Sequence, residues 1–310
     1  MPSNLRGVFA PIVTPFRPSD GEVDLPWIAR HVAYLRSHGC TGIIPCGTNG
    51  EAVSLSVAER IQVAEAALLA AGDMPVVVGT GAAALPDAVA LTRHAFARGA
   101  AGVLVMPPFY FKKPPETGVV DWFRRLFDAA VPPGGRVLLY HIPQTTGVPI
   151  TDGVLQALLA THGELVWGLK DSTGDPEQGT HLRHAFPQLA HFAGNDHRVG
   201  EACADGAAGS ITAGANVFPD LVAAVQQAAW AGRDLAAAQA ALSAARSLFE
   251  AYPLQPATKA ALADVAGLAP TAVRPPQVEL SPQARAELRT RLLANLPEWR
   301  PGVYVGPAYH

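Results

Sequence analysis

Gly99-Ala100-Ala101-Gly102-Val103-Leu104 has two close echoes in the chain, Gly39-Cys40-Thr41-Gly42-Ile43-Ile44 and Gly206-Ala207-Ala208-Gly209-Ser210-Ile211. In each copy the first glycine is suited to end a helix in the left-handed conformation. The second opens a short apolar run of strand type. The repeated unit is therefore helix end, turn, strand start. Working outward from these anchors, strands are expected near Val8–Thr14, Gly42–Pro45, Val76–Gly79, Gly102–Met106, Val137–His141, Val166–Lys170, His191–Ala193 and Gly209–Thr212. Amphipathic, alanine-rich stretches lie between them, at Pro26–Ser37, Val57–Ala70, Pro86–Arg98, Thr117–Ala129, Asp152–Thr161, Glu177–Ala185 and Val199–Asp205. Strands alternating with helices imply a parallel sheet. With eight of them in a 310-residue chain, the α/β reading closes as a TIM (β/α)8 barrel.

Beyond Ala213 the alternation stops. Pro219–Trp230, Leu235–Tyr252, Pro256–Ala266 and Pro282–Leu293 read as helices with no strands between them. The first is expected to complete a barrel spanning 1–232. The others form a C-terminal helical extension, 233–310, whose last stretch, Pro301–His310, reads as loop.

Composition narrows the function. Apolar residues make up 49% and charged residues 16%, enough for a large core and unlike a disordered chain. A net charge of −3 argues against nucleic-acid partners or a basic membrane surface. No segment is long and apolar enough to cross a bilayer. Met1-Pro2-Ser3-Asn4-Leu5-Arg6 has no apolar region of signal-peptide type. Cys40, Cys46 and Cys203 are scattered in apolar runs, and read as reduced thiols of a cytoplasmic protein. The only lysines are Lys112, Lys113, Lys170 and Lys259.

A parallel barrel builds its site at the C-terminal ends of the strands. Lys170 ends Leu165-Val166-Trp167-Gly168-Leu169-Lys170. The two-residue period of a strand puts Val166, Gly168 and Lys170 on one face and Trp167 and Leu169 on the other, with Gly168 leaving room below the lysine stem. A cation is disfavoured in an apolar barrel, and the free amine can attack a carbonyl. The alternative is a lysine paired with Asp171 or reaching solvent. Tyr140 ends the preceding strand, where a phenol can pass protons. His141 points the other way, towards the helices, and reads as structural. Cys46-Gly47-Thr48-Asn49-Gly50-Glu51 follows the second strand. Its glycines allow a tight turn that could aim backbone N–H groups at a carboxylate, with Thr48 and Asn49 adding donors. The alternative is a plain turn ordered by Glu51.

Three other segments carry less. Gly79-Thr80-Gly81-Ala82-Ala83-Ala84 lacks the later acidic residue that dinucleotide binding wants, and reads as a barrel turn. His181 and His184 lack companion ligands for a metal. Lys112-Lys113 reads as a solvated loop.

Together these residues resemble the dihydrodipicolinate synthase / N-acetylneuraminate lyase family over nearly the whole chain. Gly47-Thr48-Asn49-Gly50-Glu51 is similar to its G-[ST]-x-G-E loop, Tyr140-His141-Ile142-Pro143 to its Y-x-x-P segment, and Gly168-Leu169-Lys170-Asp171-Ser172 to its Schiff-base motif. Pro11 and Thr14-Pro15-Phe16 match its first strand. The resemblance implies a homotetramer built from dimers, an imine between Lys170 and a 2-oxo acid, and a proton relay through Thr48 and Tyr140. Tyr110 matches a tyrosine that enters the relay from a neighbouring subunit. Substrate contacts are expected from Thr48, Asn49, Gly194, Asn195 and Thr212. No metal or other cofactor is implied, because the protonated imine is itself the electron sink.

Departures shape the expected substrate. Dihydrodipicolinate synthases carry an arginine two residues after the Y-x-x-P proline, and Thr145 stands there. Losing a bidentate guanidinium is not conservative. Gly194-Asn195-Asp196-His197 keeps part of the region that holds the sugar tail in sialic-acid lyases, whereas Ile211-Thr212-Ala213-Gly214-Ala215-Asn216 matches poorly. The loop and lysine segments are more similar to 4-hydroxy-2-oxoglutarate aldolases and to enzymes of 2-keto-3-deoxy sugar acids. The leading expectation is an aldolase releasing pyruvate. A dehydratase using the same imine, a dihydrodipicolinate synthase and a catalytically silent 2-oxo acid sensor are the alternatives.

Overall fold

The computed structural model describes residues 5–295, 299–300 and 303–304. Eight parallel strands run in the order β2-β1-β8-β7-β6-β5-β4-β3. They are β1 (Gly7–Ala10), β2 (Gly42–Ile43), β3 (Val77–Gly79), β4 (Gly102–Val105), β5 (Val137–His141), β6 (Val166–Asp171), β7 (Ala190–Ala193) and β8 (Gly209–Ser210). A parallel bridge between Ile43 and Val76 joins the two ends of the sheet and closes the barrel. The helices are α1 (Leu25–Ser37), α2 (Val57–Ala71), α3 (Leu85–Ala97), α4 (Glu116–Ala130), α5 (Pro143–Thr146), α6 (Asp152–His162), α7 (Pro176–Ala185), α8 (Val199–Ala204), α9 (Pro219–Trp230), α10 (Ala236–Glu250), α11 (Leu254–Val265) and α12 (Pro282–Asn295). The short α5 was not expected from the sequence. Most of the expected loop at 301–310, like residues 1–4, lies outside the described residues; within it, Val303–Tyr304 pair antiparallel with Trp299–Arg300.

The repeat behaves as its glycines require. Gly39, Gly99 and Gly206 take φ of 91°, 87° and 92°, and Gly42, Gly102 and Gly209 open β2, β4 and β8. Alternation along the strands then makes two cores. Val8, Val78, Val103, Leu139 and Leu169 face outward into the helical shell, against residues such as Phe123 and Leu155. Phe9, Ile44, Leu104, Leu138, Phe192 and Ile211 fill the barrel interior. Phe9 meets Phe192 edge-on at 5.7 Å between ring centroids. Truncating such a ring to alanine costs about 3–5 kcal/mol.

One strand breaks its period. Val137 pairs with Val166, but the next pair is Leu138 with Gly168, so Trp167 is an extra residue in β6. The bulge reverses the expected faces at the start of the strand. Val166 belongs to the outer core, while Trp167 packs with the inner one, 5.3 Å from Phe192. After the bulge, Leu169 faces outward as expected.

The C-terminal helices join the same outer core through Leu242, Phe249, Leu262 and Leu288. The segment after α11 is stitched to the chain following β1. Thr271 Oγ1 accepts from Phe16 N at 2.7 Å and donates to Phe16 O at 2.9 Å. Trp27 Nε1 donates to Ala269 O at 2.8 Å.

Candidate active site

The bulge delivers Lys170 to the end of β6, level with Tyr140 on β5 and Phe192 on β7. Lys170 is buried, at 5% exposure. Its Nζ sits 4.0 Å from the centroid of the Tyr140 ring. Among the described residues no carboxylate lies within ion-pair distance of it. The alternative partner, Asp171, turns to the opposite face, where Oδ1 accepts from Thr173 N and Thr173 Oγ1. Gly168 does something other than make room for the lysine stem. A Cβ there would come within 2.1 Å of the Ala190 carbonyl oxygen, so the glycine lets β7 approach β6.

Tyr140 is almost wholly buried. Burial pushes its phenol up, but the positive charge at Lys170 and hydrogen bonding with Thr48, Lys170 and Ser172 outweigh it. The result is a phenol held below its ordinary value. Thr48 Oγ1 lies 3.3 Å from Tyr140 Oη. Lysine, phenol and threonine hydroxyl thus form a contiguous path for a proton. His141 faces away as expected, its Nδ1 accepting from Ile150 N at 3.0 Å.

These groups line a cavity of about 270 Å³ at the C-terminal end of the barrel. Its wall includes Thr48, Asn49, Tyr140, Lys170, Gly194 and Asn195, so six of the residues expected from sequence meet there. Asn49 is 4% exposed and both polar atoms of its side chain lack a partner. Asn195 is partly committed, since its Oδ1 accepts from His197 N. Gly194 permits the close fit of β7 against Ser172, whose Oγ would lie 2.0 Å from an added Cβ.

Two expected residues are not on this wall. The alternation that turns Ile211 into the barrel turns Thr212 away, and its buried hydroxyl has no partner. Tyr110 is 75% exposed and rests edge-on against Phe111, itself 78% exposed, outside this chain's own cavity. Lys112 is exposed, as its sequence suggested, but it is not free of the fold. Its Nζ donates to Thr146 O and Phe109 O, pinning the Tyr110 loop to the end of α5.

Several cavity residues escaped the sequence reading as site residues. Ser172, Gln144 and Thr173 follow or face the recognised motifs. Asp196 belonged to a quoted segment but was given no role. Arg246 and Leu254 come from α10 and the start of α11, in the helical extension. Nothing in a solvent-type helical pattern marks one arginine as cavity-facing.

The extension also holds the Thr48 loop from behind. Glu51 adopts a left-handed φ of 51° and pairs with Lys259 of α11 at 2.5 Å, both side chains being 2% exposed. Burial pushes the Lys259 ammonium down, against the opposing pull of the Glu51 carboxylate. Glu51 Oε2 accepts from Arg274 N at 3.2 Å, and Gln255 Nε2 donates to Thr48 O at 3.3 Å. Burial also raises the thiols, Cys46 to about 11 and Cys203 to about 12, which leaves them poor nucleophiles. His181 and His184 are engaged with Asp152 and Asp205.

Comparison with known proteins follows this geometry. The sequence model described as the Dihydrodipicolinate synthetase family matches residues 4–295. The chain belongs to that family. Within it, the chain is 47% identical over 284 residues to an "Uncharacterized DapA-like lyase" of Chloroflexus aurantiacus, covering 92% of this chain and 95% of the relative. The dihydrodipicolinate synthase of Aquifex aeolicus superposes with a TM-score of 0.86 at 28% identity, covering 93% of this chain and 97% of that one. YagE from E. coli K12, a member of the dihydrodipicolinic acid synthase family solved in complex with pyruvate, gives a TM-score of 0.87 at 25% identity over 94% and 99% of the two chains. The family is one of class I aldolases and lyases.

Proposed function

We propose that the protein is a class I lyase that cleaves a hydroxylated 2-oxo acid to pyruvate and an aldehyde. One observation carries this reading: a buried lysine without a carboxylate partner faces a cavity beside a phenol held below its ordinary value. As the free amine, Lys170 Nζ adds to C2 of the 2-oxo acid; water leaves and the protonated imine forms. Tyr140 Oη and Thr48 Oγ1 carry the protons of these steps. The C4 hydroxyl then gives up its proton as the C3–C4 bond breaks. The bonding pair passes to the imine, and the aldehyde departs. Protonation of the enamine at C3 and hydrolysis release pyruvate and regenerate the amine. Neither metal nor organic cofactor enters this scheme.

The loop after β2 is suited to the substrate's own carboxylate. Asn49 has unpartnered polar atoms there, and among the described residues the Thr48 and Asn49 amides donate to no backbone carbonyl. The YagE complex with pyruvate, a 2-oxo acid, supports this ligand class. Thr145 is exposed and off the cavity wall, so α5 offers no guanidinium in place of the family arginine. Tyr110 completes the relay from a neighbouring copy in a tetramer built from dimers; its exposure beside Phe111 supports that placement.

The test is a panel of 4-hydroxy-2-oxo acids and 2-keto-3-deoxy sugar acids, with product analysis. Pyruvate and aldehyde in equal amounts are expected. A 2-oxo acid product lacking one water, with the carbon chain intact, would replace the aldolase reading by a dehydratase one.

A further inference from the structure

One hydrogen bond runs from the helical extension straight to the loop after β2. Gln255, the second residue of α11, donates from Nε2 to Thr48 O at 3.3 Å. We propose that Gln255 is a positioning residue: by holding the Thr48 carbonyl away from the cavity, it turns the Asn49 N–H of the same peptide into the cavity, onto the substrate carboxylate. The inference rests on the reading of this loop as the carboxylate site and deepens it by naming the group that orients the donor.

A peptide unit is planar and trans, so its C=O and its N–H point to opposite sides. Leu254 and Gln255 are successive helical residues and face different ways. Leu254 lines the cavity, and Gln255, half-buried, does not. The Thr48 carbonyl is thus drawn to a group off the cavity wall, while Thr48 and Asn49 themselves lie on that wall. The Asn49 N–H, opposite that carbonyl, is left on the cavity side. Among the described residues it donates to no backbone carbonyl. Asn49 is 4% exposed, and its side-chain Nδ2 also lacks a partner. One buried residue therefore presents a backbone and a side-chain donor, and a carboxylate accepts both in charge-assisted bonds.

The other bonds of the loop show why a side chain is needed there. Gly50 O is held from outside the loop by Thr14 Oγ1 at 2.6 Å. Within the loop, Thr48 O accepts from Glu51 N at 3.2 Å. That bond and the one from Gln255 are both at the long end of the N–H···O range, so neither fixes the peptide plane firmly alone. Rotation of this plane about its two flanking dihedrals swings the Asn49 N–H out of the cavity and leaves the Thr48 side chain in place. The Thr48 hydroxyl, 3.3 Å from Tyr140 Oη, keeps its partner through such a rotation. Gln255 therefore acts on carboxylate binding and not on proton transfer.

The experiment compares second-order rates of borohydride trapping of Lys170 by pyruvate and by pyruvamide, which keeps the reactive carbonyl and loses the negative charge. Gln255→Leu, which removes the donor, is expected to slow trapping by pyruvate about tenfold and trapping by pyruvamide less than about threefold. In turnover of the cleaved 2-oxo acid, KM is expected to rise about tenfold with kcat within about threefold of the parent, the pattern of a binding contact made equally in ground and transition states. Gln255→Glu, of the same shape, serves if Gln255→Leu does not fold; its carboxylate faces the Thr48 carbonyl, and it is expected to slow pyruvate at least as much. Equal slowing of both ligands, as general damage to the loop would give, overturns the proposal. So does unchanged trapping by pyruvate, or a fall in kcat at constant KM. In the unsubstituted protein, pyruvamide trapped as fast as pyruvate would instead overturn the carboxylate reading of the loop, and no adduct on Lys170 would overturn the imine itself.

Discussion

Glu51 and Asp196 are carboxylates of nearly equal burial, 3% and 2% exposed, at two ends of one active-site region. Glu51 has both oxygens satisfied, one by Lys259 Nζ and one by Arg274 N. Asp196 keeps an oxygen without a partner, as do Asn49 and its side-chain amide on the same cavity wall. The strap behind the site is closed on itself, and the cavity in front is left to be completed. Buried polar groups cost free energy unless paired. Complete pairing therefore marks groups that hold the fold, and incomplete pairing on a cavity wall marks groups that wait for a ligand. Lys170 belongs with the second kind and Lys259 with the first.

Substitutions on the two sides should therefore fail differently. Lys170→Ala is expected to lower turnover about 10³-fold or more, since the covalent route is lost with the nucleophile. Its unfolding free energy should stay near that of the parent, and a collapse of stability would place Lys170 with the structural groups. Tyr140→Phe is expected to reduce turnover about 10²- to 10⁴-fold. Thr48→Val should act in the same direction and also raise the phenol of Tyr140, moving the alkaline limb of the rate profile upward, because one of the hydrogen bonds lowering it is gone.

On the strap, Lys259→Met leaves Glu51 buried and unpaired. A loss of about 3–5 kcal/mol in denaturant unfolding is expected. Adding Glu51→Gln should recover part of it, and no recovery would show that the pair is not what the lysine serves. Smaller still is the acid response of His31, on α1. It is wholly buried, its Nε2 is 3.2 Å from Asn216 O, and its Nδ1 has no partner. Burial pushes it down to about 4 from 6.5. The unfolded chain therefore binds the proton more readily. Stability is full above pH 6.5 and is lost as pH falls towards 4, by up to about 3 kcal/mol. A His31→Leu variant should show a shallower decline over that range, and an unchanged slope would assign the loss to other groups.

Much of this contrast could be read before any coordinates. The paired glycines fixed where helices end and strands begin, because left-handed φ and close packing have few other solutions. Strand ends then exposed Lys170 and Tyr140, and the loop after β2 offered Thr48 and Asn49. Trp167 was misread because a bulge is a property of pairing between strands, and a two-residue period carries no trace of it. Thr212 follows Ile211, which faces the barrel interior, so alternation turns it off the cavity wall; a motif match carries no such orientation. Lys259 and Arg246 stayed hidden for one reason: both lie on helices of the extension, and the site-side carboxylates they face, Glu51 and Asp196, are distant in the sequence. Only tertiary packing tells a buried arginine or lysine on such a helix from a solvated one.

The most direct test is to incubate the protein with pyruvate and borohydride and map the modified peptide. The account predicts a stable adduct on Lys170, abolished in Lys170→Arg, with Lys112, Lys113 and Lys259 unmodified. An unmodified Lys170, or an adduct carried by any of the other three lysines, would contradict it.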